Sequence, residues 1–323
     1  LSKPFHLDGN EVYISASIGI AIYPGDGETI DALLHRADIS MYYVKGQGKN
    51  GFAFYDNTMV DSSFQKITLE KSLRRAIENN ELEMYYQPQI DAKTGCSMGV
   101  EALIRWNHPE RGLVSAGEFM PFAEESGLII PISDWMLKAV SRDFQQWSMQ
   151  GIVGVQLSMN ISPQYLDRRD FAEKMKATLN HYGVPADKIE VEITENLCIR
   201  SPQRAIEQLN RLCQIGVKIA IDDFGTGYSS LSYLHRFPVH TIKIDQSFVR
   251  TVESETGHYP VVMAIISIAR GLGLNLVAEG VETEIQKNYL EQNGCSIMQG
   301  FYYARPMTCK DFTDLLLRTC QVA

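Results

Sequence analysis

Short apolar runs in this chain repeatedly end in, or carry near their end, a polar side chain able to do chemistry. Glu101 lies in GVEALIRW, Asn160 closes VQLSMN and Glu192 lies in IEVEIT. Asp222 and Asp223 close VKIAIDD, Lys243 lies in TIKID, Glu279 closes LNLVAE and Gln299 lies in SIMQG. Strand-like runs of this kind, with helical stretches between them, point to a parallel α/β barrel, which gathers its strand ends on one polar face. A ring of so many carboxylates needs a positive centre, and a divalent cation is the natural candidate.

Strand patterns fall near residues 83–90, 98–106, 154–160, 189–193, 217–222, 240–244, 274–279 and 296–301. Helical spacing fills intervals such as Asp134 to Met149, Phe171 to His181, Pro202 to Cys213 and Val261 to Leu272. Eight strands alternating with helices suit a closed barrel better than an open sheet. Ahead of them, Val12 to Tyr23 reads as one alternating strand, Pro24 to Gly27 as a turn and Thr29 to about Lys45 as a helix. The glycines from Gly46 to Gly51 stop that helix, and Phe52 stands where a phosphate-binding loop needs its Lys-Ser/Thr pair. The expected division is a small strand-helix-strand segment over 1–56, a helical connector over 57–80, and a barrel over 81–323. Phe64, Ile67, Leu73, Ala76 and Ile77 form the buried stripe of the connector.

With 45% hydrophobic and 21% charged residues, the 323-residue chain has the composition of a globular protein with a large core. Its apolar-rich run from Val261 to Ala269 stops at Arg270, short of the roughly 20 residues a membrane helix needs. The chain opens on Leu1 without a signal peptide, so it reads as a cytoplasmic piece of a longer protein, with any sensor or membrane anchor upstream. A net charge of −9 argues against binding DNA or RNA duplexes. A small phosphorylated ligand stays open, because bound metal reverses the local sign. Six scattered cysteines without a CxxC pair favour reduced thiols, and seven histidines form no HExxH.

Taken in order, the motifs resemble one family. Gln87-Pro88, Glu101-Ala102-Leu103-Ile104-Arg105, Asn160, Glu192-Ile193-Thr194-Glu195, the run from Asp222 to Ser230, Lys243-Ile244-Asp245, the run from Ala278 to Thr283, and Gln299-Gly300 are similar to the EAL domain of cyclic-di-GMP phosphodiesterases. The resemblance spans about residues 64 to 318. Residues 1 to 56 resemble the C-terminal part of a GGDEF domain, through Ser17 to Ala21, Tyr23-Pro24, Ala37 to Tyr42 and Lys45 to Gly51. That family's signature loop would lie before residue 1, so cyclase activity is not expected of this piece. Ala304-Arg305-Pro306 departs from the family's more usual Ser-Lys-Pro.

The resemblance implies roles that the residue chemistry supports. Glu101, Asn160, Glu192 and Asp222 would supply oxygen ligands to a hard ion, Mg²⁺ or Mn²⁺, and Asp222 would bridge to a second ion with Asp223 and Glu279 or water around it. Neighbouring strand residues face opposite ways, so Asp222 and Asp223 reach one site only if the backbone bends at Asp223. The glycines of Phe224-Gly225-Thr226-Gly227 permit that bend. Arg105 fits a phosphate clamp, and Gln87 and Gln299 are placed beside the substrate. Lys243 and Glu279 are both candidates for orienting or deprotonating the water. Glu195 is expected to anchor the Phe224 to Ser230 loop, against the plainer reading of a surface residue in the first turn of a helix. Asp245, Glu282 and Glu284 read as turn residues or helix N-caps, and Tyr85, Tyr86, Tyr302 and Tyr303 as packing.

The expected fold is therefore a (β/α)₈ barrel of the EAL type, its first strand reversed as the resemblance implies, behind a partial GGDEF remnant. The expected activity is metal-dependent hydrolysis of cyclic-di-GMP to linear pGpG. The rival is a catalytically silent receptor for the same nucleotide, which would lack several ligand carboxylates. The resemblance also makes a homodimer compatible with the sequence, though no pattern in the residues supports one.

Overall fold

The computed structural model describes residues 5–7, 10–12, 16–46, 51–56, 72–152, 154–195, 202–226 and 236–319. It divides into two compact units, residues 1–75 and 76–323. In the first unit β1 (Phe5–Leu7) pairs antiparallel with β2 (Asn10–Val12), and β3 (Ser17–Ile20) pairs parallel with β4 (Gly51–Phe54). The helix Ile30–Gly46 makes the crossover between β3 and β4. The single strand expected from Val12 to Tyr23 is thus two, because β2 folds back on β1 while β3 serves a different sheet. Gly19 lets β3 lie against that helix: a Cβ there would stand 1.8 Å from the carbonyl oxygen of Ala37. Of the expected connector, residues 72–78 are helical, with Leu73 and Ala76 fully buried. Phe64 and Ile67 lie outside the described residues.

The second unit is a closed eight-stranded barrel. Its strands are β5 (Leu82–Asp91), β6 (Ser97–His108), β8 (Gln156–Asn160), β9 (Ile189–Thr194), β10 (Lys218–Phe224), β11 (Thr241–Ile244), β12 (Asn275–Ala278) and β13 (Ile297–Met298). All neighbours run parallel except β5, which is antiparallel to both β6 and β13 and closes the ring. Outside the ring, β7 (Gly112–Ser115) pairs with β6 and β14 (Met307–Thr308) with β5. The expected strand near 296–301 is only two residues long. Beyond it Gly300 presses on Val281, where a Cβ would stand 2.1 Å from the backbone oxygen, so the chain leaves the sheet.

Alternation along the strands separates two environments. Val100, Ala102, Leu157, Met159, Val191, Ile193, Ile219, Ile242 and Ile244 are all at most 1% exposed, and the helices Ile129–Met149, Phe171–Tyr182, Pro202–Gln214 and Pro260–Leu272 alternate with these strands along the chain. Their neighbours in register give the other face a polar lining: Glu101 opposite Ser158, Ser158 opposite Glu190, Asn160 opposite Glu192. Barrels of this class usually fill that space with layers of branched apolar residues. Here Glu190 is buried instead between the hydroxyls of Ser158 (3.1 Å) and Thr241 (2.6 Å). Among the described residues no helix is long and apolar enough to cross a membrane.

Candidate active site

The polar lining culminates at the C-terminal ends of the parallel strands. Glu101 comes from β6, Asn160 from the end of β8, Glu192 from β9, Asp222 from β10 and Lys243 from β11, while Glu279 directly follows β12. Lys243 is wholly buried, with Nζ 2.5 Å from Glu279, 2.9 Å from Glu192, 3.3 Å from Asp222 and 3.4 Å from Glu101. The long lysine stem lets a residue on one strand reach the carboxylates of four others.

The carboxylates differ in what holds them. Asn160 donates to Glu101 Oε1 at 2.8 Å and Gln299 to Glu101 Oε2 at 2.6 Å. Burial alone would raise Glu101, but Lys243 and these donors outweigh it and leave the carboxyl below its ordinary value. Glu192 is 0% exposed, and neither of its oxygens has a hydrogen-bond donor. Its contact with Lys243 is an ion pair without hydrogen-bond alignment. Burial, then the neighbouring Glu101, drive Glu192 well above the usual carboxylate range. Burial likewise pushes Glu279 up to about 8, against the pull of Lys243. For Lys243 burial acts downward, yet Asp222 and the other carboxylates win and fix it as an ammonium.

Asp223 is where the strand bends. Its φ is 53°, a left-handed conformation uncommon outside glycine, and the pairing of β10 with β11 slips between Ile221 and Phe224. The bend therefore sits on the aspartate itself, and it turns Asp223 back toward the site. Burial, then Asp222 and Asp245, raise Asp223 to about 6. Gly225 follows with φ 98°, and a Cβ there would stand 2.9 Å from the ring of Phe248. Its N–H donates to Glu195 Oε2 at 3.0 Å. Glu195 directly follows β9 at a helical position and is buried, so it is not the surface residue of the plainer reading. Loop residues 227–230 lie outside the described residues.

Two groups of carboxylates have ligand oxygens within 4.8 Å of one another: Glu101 with Glu192 and Asp222, and Asp222 with Asp223 and Glu279. Asp222 belongs to both. Hard oxygen donors, a shared aspartate and a buried carboxylate with both oxygens orphaned fit a pair of divalent cations. Asn160 donates its amide nitrogen to Glu101, and its side-chain carbonyl is a hard oxygen donor of the same kind.

The remaining expected site residues are placed as follows. Arg105 is on β6 four residues beyond Glu101 and so on the same face. It donates to the carbonyl of Ile104, lies over the ring of Tyr85, and among the described residues forms no ion pair within 4.0 Å. Gln87 and Gln299 are buried and bonded to each other. Asp245 caps the helix Gln246–Val249, accepting from Ser247 N, and Glu284 lies in the first turn of the helix Glu284–Gln292. Of the tyrosines, Tyr86 is fully buried and donates to Asp143, whereas Tyr302 is 40% exposed. Sequence reasoning passed over Gln89 and Glu190. Each lies two residues from a residue it singled out, Gln87 and Glu192, and alternation alone puts both on the same polar face.

Comparison with known proteins agrees with this geometry. Residues 1–51 match the diguanylate cyclase, GGDEF domain, and residues 70–306 match the EAL domain. The chain is 39% identical over 307 residues to the bifunctional diguanylate cyclase/cyclic di-GMP phosphodiesterase MucR of Pseudomonas aeruginosa, covering 95% of this chain and 45% of MucR. It is 38% identical over 312 residues to the cyclic di-GMP phosphodiesterase PdeR of Escherichia coli, covering 97% of this chain and 47% of PdeR. The chain thus spans about half the length of the curated relatives it matches. Among solved structures, PaMucR phosphodiesterase in complex with c-di-GMP superposes with a TM-score of 0.73 at 37% identity, over 76% of this chain and 99% of that one. The EAL enzyme Bd1971, in its cAMP and cyclic-di-GMP bound form, gives 0.75 at 30% identity, over 90% and 77%. A family match across most of the chain, on a barrel whose strand ends gather Glu101, Asn160, Glu192 and Asp222, means that this protein belongs to the EAL domain family.

Proposed function

We propose that this chain hydrolyses cyclic-di-GMP to linear pGpG, with Mg²⁺ or Mn²⁺ bound by the two acid groups that share Asp222. That overlap of ligand groups at the strand ends carries the reading, and the substrates named for MucR and PdeR support it. Glu101, Asn160, Glu192 and Asp222 would hold one ion, and Asp222, Asp223 and Glu279 the other. Bound there, the ions would activate a water and offset the charge on the phosphoryl and leaving oxygens. Hydrolysis adds that water across one P–O3′ ester bond, leaving a 5′-phosphate and a free 3′-hydroxyl.

The protein's own groups have distinct tasks. Arg105 offers a guanidinium to the phosphate, on the strand that carries Glu101. Lys243, an ammonium ion-paired with four carboxylates, has no free lone pair to accept a proton, so of the two candidates Glu279 is the one left to take it. Glu195 steadies the loop at Gly225 and thereby the direction of Asp223. A nucleotide second messenger acts inside the cell, which places the working domain in the cytoplasm. Incubation with cyclic-di-GMP and Mg²⁺ or Mn²⁺, followed by chromatography of the nucleotides, tests the reading. A pGpG peak that EDTA abolishes is expected, whereas unchanged substrate beside measurable binding would identify a receptor.

A further inference from the structure

A buried relay of side-chain amides leads from the lower part of the barrel to Glu101. Gln89 Nε2 donates to Gln299 Oε1 at 3.1 Å. Gln299 Nε2 donates to Glu101 Oε2 at 2.6 Å and to Gln87 Oε1 at 3.1 Å, and Gln87 Nε2 donates to the carbonyl of Ala304 at 3.0 Å. Gln87, Gln89, Gln299 and Glu101 are each at most 7% exposed, so water does not readily replace a lost partner.

One end of the relay forces its direction. The backbone carbonyl of Ala304 can only accept, so Gln87 donates to it and turns its own amide oxygen toward Gln299 Nε2. Gln299 must therefore turn its NH₂ toward Glu101, which aims its carbonyl at Gln89 and requires Gln89 to donate. Space for Gln89 comes from its register partner Gly99 on β6, where a Cβ would stand 2.5 Å from Gln89 Oε1.

We propose that Gln89 is a positioning residue: it fixes the orientation of the Gln299 amide and through it the direction in which Glu101 presents its carboxyl group as a metal ligand, with Gly99 providing the room. The proposal deepens the metal-site reading above and rests on it. The side-chain hydrogen bond of Gln89 goes to Gln299 and not to the ligand it controls. Its effect passes through an amide that, once released, can present its carbonyl to the carboxylate, oxygen against oxygen.

The test is calorimetric titration with Mn²⁺ of the whole chain in four forms: wild type, Gln89→Glu, Gln89→Met and Gly99→Ala, each checked for folding by circular dichroism. Gln89→Glu substitutes an acceptor for the donor and forces the Gln299 amide to reverse, so Mn²⁺ affinity should fall roughly 10- to 100-fold. Gln89→Met keeps the volume and removes the donor, and Gly99→Ala displaces the Gln89 side chain. Both should lose affinity in the same direction but less. With cyclic-di-GMP, kcat should fall at nearly constant KM, a split that loose packing alone would not give. Wild-type Mn²⁺ affinity in folded Gln89→Glu, or in Gln89→Met should the glutamate variant not fold, overturns the proposal. A wild type that takes up no Mn²⁺ overturns the metal site first, before any variant is measured. Mn²⁺ uptake without hydrolysis overturns only the substrate assignment.

Discussion

Replacing Lys243 with Met tests how the acid ring survives without metal. The ammonium is 0% exposed and within 3.4 Å of four carboxylates. One such contact, near 3 Å at an effective dielectric of about 20, is worth roughly 5 kcal/mol before desolvation. Burying the ions costs several kcal/mol apiece, so the gross attraction is largely offset. The variant's difficulty lies in what remains: Glu101, Glu192, Asp222 and Glu279 facing each other with their cation gone. Breaking a buried ion pair by removing one partner costs about 3–5 kcal/mol, which is the loss expected in EDTA near pH 8. At about 2–4 °C per kcal/mol for a domain of this size, the melting temperature should drop by roughly 6–20 °C. Saturating Mg²⁺ or Mn²⁺ supplies the missing charge and should restore most of the loss, so the variant should bind metal more tightly than the wild type. Urea denaturation with and without metal measures both effects. A folded Lys243→Met within about 0.5 kcal/mol of wild type in EDTA, or a loss that metal does not repair, would refute this account.

Three further outcomes follow from the site. Glu195→Ala removes the acceptor of the Gly225 N–H and should lower turnover roughly 10- to 100-fold while the barrel stays folded, with Glu195→Gln retaining most activity; wild-type rates in the alanine variant would reduce Glu195 to a structural residue. Asp222→Ala removes the ligand common to both acid groups, so titration should show loss of both metal equivalents together, and retention of one would mean the ions do not share it. In EDTA, stability should fall as pH rises from about 5 to 8. Glu192 and Glu279 are raised in the folded state, so over that window the folded protein binds more protons than the unfolded chain and ∂ΔG/∂pH is negative. The slope is bounded by about 1.4 kcal/mol per pH unit per group, and urea melts in which stability rises over the same window would contradict it.

Much of the site was legible because the barrel writes two patterns into each strand. IEVEIT and KIAIDD set apolar residues toward the helices and polar ones toward the interior, so strand position and chemistry appear together. Less was legible where one sequence suits two arrangements. Nothing in LEMYYQPQID says that β5 runs against its neighbours, since hydrogen-bonding direction leaves no mark on side-chain alternation. The two-residue β13 gives no periodicity to count. Lys243 could be read as a catalytic candidate, but not as the common partner of four acids, because that depends on how far one side chain reaches across a closed ring. Alternation places Gln89 on the polar face, but its role was hidden for a related reason: its partner Gln299 is 210 residues away.

The reversed strand has a bearing on when the protein can act. β5 and β6 form a local hairpin, but the ring is completed only by the short seam Ile297↔Asp91 and Met298↔Ile90. Contacts between such distant segments tend to be slow to form, because the intervening chain must first be ordered. Gln299, one residue past that seam, is also the donor that aligns Glu101. A chain still emerging from the ribosome, or one nicked between β12 and β13, would thus own nearly every carboxylate and still lack the aligned pair. On the proposed reading, hydrolysis would begin only with the last strand in place, and a half-made chain would leave the nucleotide untouched.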